Sequence, residues 1–267
     1  VDATSDPRPT LWHIAISHFN EKARWALDYK EVPHSRRAVA LPGSHVPAAL
    51  WLTRGDNHTF PVLEIGGRGI GDSTEIIAAL EERCPEPPLY PADPEQRRRA
   101  LELEEFFDEQ LGPQMRLLAF HELAKDPERF QAVIARSAPA PVARLGAGAV
   151  AYARAYAALR FGARDEEAAA LARGKILAAL DRLEAELGSS DYLVGDSFSV
   201  ADLTAASLFF PLVLPDQGPL PEEEPPPAGM ASFRAPLEGR PGYRWVEAIF
   251  RRHRRPAGAL ATAASQG

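Results

Sequence analysis

The chain has 267 residues, enough for one large or two ordinary domains with real cores. Its 30 basic and 37 acidic side chains leave a net charge of −7, so no global basic field is available to hold nucleic acid. A single cysteine, Cys84, excludes an intrachain disulfide framework and a Cys-x-x-Cys redox pair, and no run of about 18 apolar residues is present to span a membrane. Val1 to Pro9 are polar and proline-bearing, without the apolar core of a signal peptide, which makes the cytoplasm the expected compartment.

Thr10 to Ile16 reads as a first strand. Ser17 is a suitable N-cap for the helix that follows, which carries Ala23, Trp25, Ala26 and Leu27, with Glu21 in its first turn. Ser35 to Val39 reads as a second strand and Val46 to Leu52 as a short helix. Val62, Leu63 and Ile65 form a short buried strand. Gly66-Gly67 reads as a two-residue hairpin turn, since glycine supplies the positive φ such turns need, and Arg68 to Ile70 is the return strand. Asp72 or Ser73 then caps a helix bearing Ile76, Ile77 and Leu80. Pro61 opens the hairpin, a place where a proline is tolerated and a cis bond is accessible. Strand, helix, strand, helix, hairpin, helix predicts an α/β thioredoxin-like domain over residues 10–84.

Residues 85–94 read as a stiff linker, because Pro85, Pro87, Pro88 and Pro91 favour extended backbone. Strand signals then disappear. Glu95 to Leu111 predicts a helix with Leu103, Phe106, Phe107 and Leu111 on one side, interrupted and kinked at Gly112-Pro113. Met115 to Ala124 resumes the pattern. A further helical stretch lies within Pro127 to Arg160, loosened around Pro139 to Gly148. Asp165 to Leu187 is the clearest helix, with Ile176, Leu180, Leu183 and Leu187 at helical spacing and Gly188 as its stop. Ser199 to Leu208 and Tyr243 to His253 complete an all-helical bundle over residues 95–256, with terminal arms at 1–9 and 257–267. Leu214 to Gly229, rich in proline and carrying Glu222-Glu223-Glu224, reads as a solvated loop and not an active segment.

The hairpin opened by Pro61 and followed by Asp72-Ser73 resembles the glutathione-binding half of the glutathione transferase family. The proline linker, then Phe198-Ser199-Val200-Ala201-Asp202-Leu203, extends that resemblance to the helical half. In the second motif Ser199 and Asp202 form a capping box and Phe198 with Leu203 a hydrophobic staple, after a Gly195-Asp196 turn. The resemblance covers roughly Leu11 to His253. It implies a cis Phe60–Pro61 bond with the Phe60 backbone facing the ligand. It also implies that Asp72 pairs with the ammonium and Ser73 with the carboxylate of the γ-glutamyl end of glutathione, as the orphan N–H groups of a helix start favour an anion.

In the serine and cysteine classes of this family the thiol-activating residue sits just after the first strand. The match here is Ser17, in Ser17-His18-Phe19-Asn20-Glu21-Lys22-Ala23-Arg24, with His18 where many members have proline. A hydroxyl there donates to the glutathione sulfur and favours thiolate, with the helix N-terminus adding to the field. Asn20, one turn along, is a second candidate donor, and Ser17 also has the simpler reading of a helix cap. The resemblance thus implies a serine-type enzyme of the detoxifying kind. It would conjugate the glutathione thiolate, as co-substrate, to a small apolar electrophile, and would act as a homodimer with no permanently bound cofactor. The alternative is a non-catalytic glutathione-binding or scaffold protein on the same fold. The thiol stays open between glutathione and another low-molecular-weight thiol. The electrophile pocket is expected beside the kinked helix, with Met115, Arg116 and Phe120 as candidates and Tyr152 and Tyr156 behind them. The seven histidines show no metal-ligand spacing, so no metal is expected.

Overall fold

The computed structural model describes residues 8–38, 43–137, 146–188, 190–220 and 226–254. Four short strands, β1 (Thr10–His13), β2 (Ser35–Ala38), β3 (Val62–Ile65) and β4 (Arg68–Gly71), form one mixed sheet in the order β2-β1-β3-β4. β1 is parallel to β2 and antiparallel to β3, with Leu11 opposite Leu63 and Trp12 opposite Val62. The β3–β4 hairpin turns on Gly66 and Gly67, whose φ values of 57° and 71° are those a tight turn of this hand requires.

Successive strand side chains point to opposite faces, and both faces are covered. Leu11 and Leu63 enter the main core with Trp25 of α1 (His18–Tyr29) and Ile76 and Leu80 of α3 (Ser73–Arg83). Val62 faces the other way, onto Phe60 and onto Ala49 and Leu52 of α2 (His45–Leu52). β1 ends at His13, three residues short of the expected Ile16, because Ile14 to Ser17 leave the sheet as a turn held by side chains. Val39, the expected end of the second strand, lies outside the described residues.

The helical half follows as α4 (Pro94–Phe106), a π-helical turn (Phe107–Leu111), α5 (Gly112–Ala124), α6 (Pro127–Ser137), α7 (Gly146–Phe161), α8 (Glu166–Leu187), α9 (Val200–Val213), α10 (Ala228–Arg234), a 3₁₀ turn (Ala235–Leu237) and α11 (Pro241–His253). The break expected at Gly112-Pro113 is a π turn instead. It leads directly into α5 with Pro113 in the first turn, where its missing N–H is tolerated. Gly112 is needed for a different reason: a Cβ there would lie 2.3 Å from Cζ of Phe19. Most of the loosened stretch expected at 139–148 lies outside the described residues.

α9 runs five residues beyond Leu208, through Pro211, since Phe209, Phe210, Leu212 and Val213 are all buried. It packs on α1, α4, α5 and α11, so one core is continuous from the sheet into the bundle. Its start is the expected capping box. Asp202 accepts from the backbone N–H groups of Ser199 and Leu193 and from the Ser199 hydroxyl, each at 2.8 Å. Burial pushes the Asp202 carboxyl up to about 6 against these donors. The chain end is tied back as well: Arg254 pairs with Glu21 at 2.6 Å and Asp28 at 2.7 Å, and the Trp25 indole N–H donates to the His253 carbonyl at 3.2 Å.

Candidate functional site

A cleft of about 830 Å³ lies between the sheet half and the helical half. Its floor is the Ile14–Ser17 turn and the start of α1. Asn20 holds this turn from one side: its Oδ1 accepts from the Ile14 N–H at 2.9 Å, and its Nδ2 donates to Ser17 Oγ at 2.8 Å and to the Phe60 carbonyl at 3.1 Å. Arg24 holds it from the other, donating to the carbonyls of Ile14, Ala15 and Ser17 at 3.2, 3.0 and 3.4 Å. Arg24 is itself fixed by Glu21 at 2.7 Å. Ser17 caps α1 and lines the cleft. Its Oγ also receives the Asn20 backbone N–H at 3.4 Å. A hydroxyl accepts two hydrogen bonds and donates one. Asn20 supplies both of the hydrogen bonds that Ser17 Oγ accepts.

Asn20 was expected as a second donor to the ligand. It is fully buried and does not line the cleft, and its amide is spent on Ile14, Ser17 and Phe60. Its place is behind Ser17. Phe60 and Pro61 line the cleft and the bond between them is cis. The Phe60 carbonyl already accepts from Asn20, so only part of its backbone is available to a ligand.

Between Asp72 and Ser73, the cap of α3 is Asp72. It adopts φ 71° and accepts from the Thr74 N–H at 2.8 Å. Ser73 is the first helical residue, 2% exposed, and both line the cleft. This helix start is clamped to the bundle by a cluster that sequence reasoning missed. Lys22 Nζ lies 2.8 Å from Thr74 Oγ1, 2.5 Å from Asp108 and 2.8 Å from Glu104, and the Thr74 hydroxyl donates to Asp108 at 2.8 Å. Asp108 sits in the π turn. The legible signal was Glu104 and Asp108 four apart on an otherwise apolar helix side.

His18 reaches across the cleft floor, its Nε2–H donating to the Gly112 carbonyl at 2.9 Å, and its ring lies 4.6 Å from that of Phe19. Burial, with Arg116 nearby, lowers its pKa to about 3, so it is neutral. Where many relatives of the resembled family have proline, this chain has a strut to α5.

The far wall comes from α5 and α7. Arg116 and Phe120 line it as expected, together with Tyr156, Arg160 and Phe161. Met115 does not: it is fully buried in the core on the other side of α5. Tyr152 is half exposed and outside the cleft. The segment expected to be a solvated loop is corrected in its described parts, 214–220 and 226–229; Glu222-Glu223-Glu224 lie outside the described residues. Leu214, Pro219, Leu220, Pro226 and Pro227 line the cleft, and α10 follows where no helix was expected. Proline and glutamate content concealed the apolar side chains that close this wall. Among the described residues no cluster of histidine, cysteine or carboxylate side chains could hold a metal ion, and no helix is long and apolar enough to cross a membrane.

Comparison with known proteins agrees with this architecture. The family model of the glutathione S-transferase N-terminal domain matches residues 11–88, and that of the C-terminal domain residues 151–252. Among curated proteins, a probable maleylacetoacetate isomerase 2 of Drosophila melanogaster is 24% identical over 129 residues, 48% of this chain. The match spans only 57% of that relative's length. Among solved structures, a glutathione S-transferase of Methylobacterium radiotolerans in complex with glutathione sulfonate has a TM-score of 0.53 at 22% identity, over 89% of this chain and 93% of that one. A theta class enzyme of Xanthomonas axonopodis pv. citri with glutathione bound has 0.56 at 22%, over 89% and 96%. Glutathione S-transferase 1-6 of Anopheles dirus species B has 0.59 at 17%, over 96% and 95%. At such identities the structures speak for the fold. The two family models, in this order along the chain and together covering about two thirds of it, speak for more: the chain belongs to the glutathione S-transferase family.

Proposed function

We propose that this protein binds glutathione along the sheet side of the cleft and uses Ser17 to hold its sulfur as thiolate for transfer to an electrophile on the helical side. The observation that carries the reading is the Ser17 hydroxyl, which lines the cleft at the start of α1 and accepts from Asn20 twice, an arrangement that would free its proton for a ligand. Asp72 and Ser73 take the ammonium and carboxylate of the γ-glutamyl end. Asp72 is an exposed carboxylic side chain on the cleft, and Ser73 stands among the orphan N–H groups of α3. In the reaction the sulfur lone pair forms the new C–S bond while a leaving group departs from the attacked carbon with its bonding pair, the thiol proton passes to solvent, and the Ser17 hydrogen bond stabilises the anion before attack. The two solved relatives that hold glutathione or its sulfonate are consistent with that co-substrate.

Calorimetric titration with glutathione tests the reading. Ser73→Ala removes a donor to a charged group, worth about 1.5–3 kcal/mol, and is expected to weaken binding by about tenfold or more. A parent protein that does not bind glutathione, or a variant with the parental Kd, contradicts it.

A further inference from the structure

A guanidinium drawn partly out of water is ordinarily matched by a carboxylate, because an unpaired charge away from solvent is costly. Lys22, Arg24 and Arg254 follow this rule, with Glu104 and Asp108, with Glu21, and with Glu21 and Asp28. Arg116, half-buried on the cleft wall, does not. Among the described residues it has no acidic partner. Its guanidinium lies 5.6 Å from the ring centre of Phe19 and 4.9 Å from that of Phe161. Arg160, exposed on α7, lies over the same Phe161 ring at 5.6 Å and lines the same cleft; being in solvent it needs no acidic partner of its own. Burial and Arg160 both work against the Arg116 charge. Arg116 and Arg160 therefore flank one aromatic ring on the cleft wall, and neither has an ion-pair partner among the described residues, while Arg129, paired with Asp126, and the exposed carboxylates Glu105 and Glu109 line other parts of the same cleft.

Resting on the proposed transferase reading, we infer that the electrophile is a planar, conjugated carboxylic acid, its carboxylate held by Arg116 with Arg160 beside it and its flat body against Phe19, Phe120 and Phe161. The fork of N–H groups on arginine matches a carboxylate bidentately, and its face stacks on rings. Phe120 and Phe161 are already stacked at 4.9 Å, which sets a flat apolar wall beside the cation. The small apolar electrophile expected from the sequence would leave the half-buried Arg116 without a counter-charge.

The test uses 4-chloro-3-nitrobenzoate and its neutral isostere 4-chloro-3-nitrobenzamide. Glutathione forms a C–S bond at the chlorine-bearing carbon, chloride leaves with the bonding pair, and the thiol proton goes to solvent. Each kcat/KM is divided by the uncatalysed rate with glutathione, so that intrinsic reactivity cancels. The parent is expected to prefer the benzoate by about tenfold or more, Arg116→Gln to lose that preference, and Arg116→Lys to keep part of it. Arg244→Gln, which removes an equal charge from an exposed position of α11, is expected to keep it in full. An unreactive pair, 3-nitrobenzoate and 3-nitrobenzamide, reads the anion site by calorimetry without thiol chemistry. Its result stands whether or not glutathione transfer occurs. Equal handling of acid and amide by the parent overturns the inference. So does an Arg116→Gln variant that weakens glutathione itself, which would assign Arg116 to the glycine carboxylate of the thiol.

Discussion

Ser17 and His18 are adjacent in sequence and have opposite surroundings. Ser17 opens on the cleft, while His18 is buried against α5 with its proton committed to Gly112. Keeping His18 neutral has a consequence for stability. Its folded pKa, about 3, lies below the unfolded value near ~6.5. Its contribution is therefore fully present above ~6.5 and is lost as pH falls toward 3, since the unfolded chain takes up the proton first. Between pH 7 and pH 5 the loss is about 2 kcal/mol. His18→Gln keeps a donor for Gly112 and cannot titrate. In urea melts at the two pH values it is expected to lose about 2 kcal/mol less than the parent over that interval. Parallel losses would mean that His18 is not held neutral. The Ser17 position was readable from the strand–helix junction. The roles of Asn20 and Arg24 were not, because side chains that bond backbone groups of a neighbouring turn leave no mark in a pattern of side chains.

At the level of elements, the short motifs were the most legible. The Gly66-Gly67 hairpin, the α8 helix with its Asp165 cap, and the α9 capping box each follow from local chemistry, and each is present. The π turn was illegible because its extra residue leaves the apolar spacing around Phe107 and Leu111 nearly unchanged. Helix ends beside proline were also hard to place: Pro113 sits in the first turn of α5 and α9 continues through Pro211 past the expected Leu208, since burial outweighs the lost N–H where a helix end or a packed neighbour absorbs it. The α9 cap makes a graded prediction. Ser199→Ala should cost about 1–2 kcal/mol. Asp202→Ala also strands the Leu193 and Ser199 N–H groups away from water and should cost more, about 3 kcal/mol. Urea melts of the two variants distinguish them, and equal costs would contradict the dual role of Asp202.

At the level of the whole molecule, the cleft exists because two halves meet around Lys22. Its ammonium is 0% exposed and joins α1 to α4, to the π turn and, through Thr74, to the start of α3. Removing one member of a buried ionic cluster leaves the others uncompensated. Lys22→Met should therefore cost about 3–5 kcal/mol and weaken glutathione binding by loosening Asp72-Ser73. Unchanged urea melts would show that the cluster does not join the halves. Trp25, Phe198 and Leu203 could be assigned to cores from their spacing, but no sequence pattern pairs a lysine at 22 with carboxylates at 104 and 108.

The proposed role of Ser17, holding the thiol of bound glutathione as thiolate, is measured most directly by the ultraviolet absorbance of that thiolate titrated with pH on the protein. A free thiol has a pKa near ~8.5. One hydrogen bond to a charged sulfur, about 1.5–3 kcal/mol, corresponds to about one to two pKa units. The parent is expected to titrate bound glutathione near 6.5–7.5, about one to two units below the free thiol, and Ser17→Ala to titrate it close to the free value while still binding glutathione. Superimposable titrations of parent and variant would contradict the account.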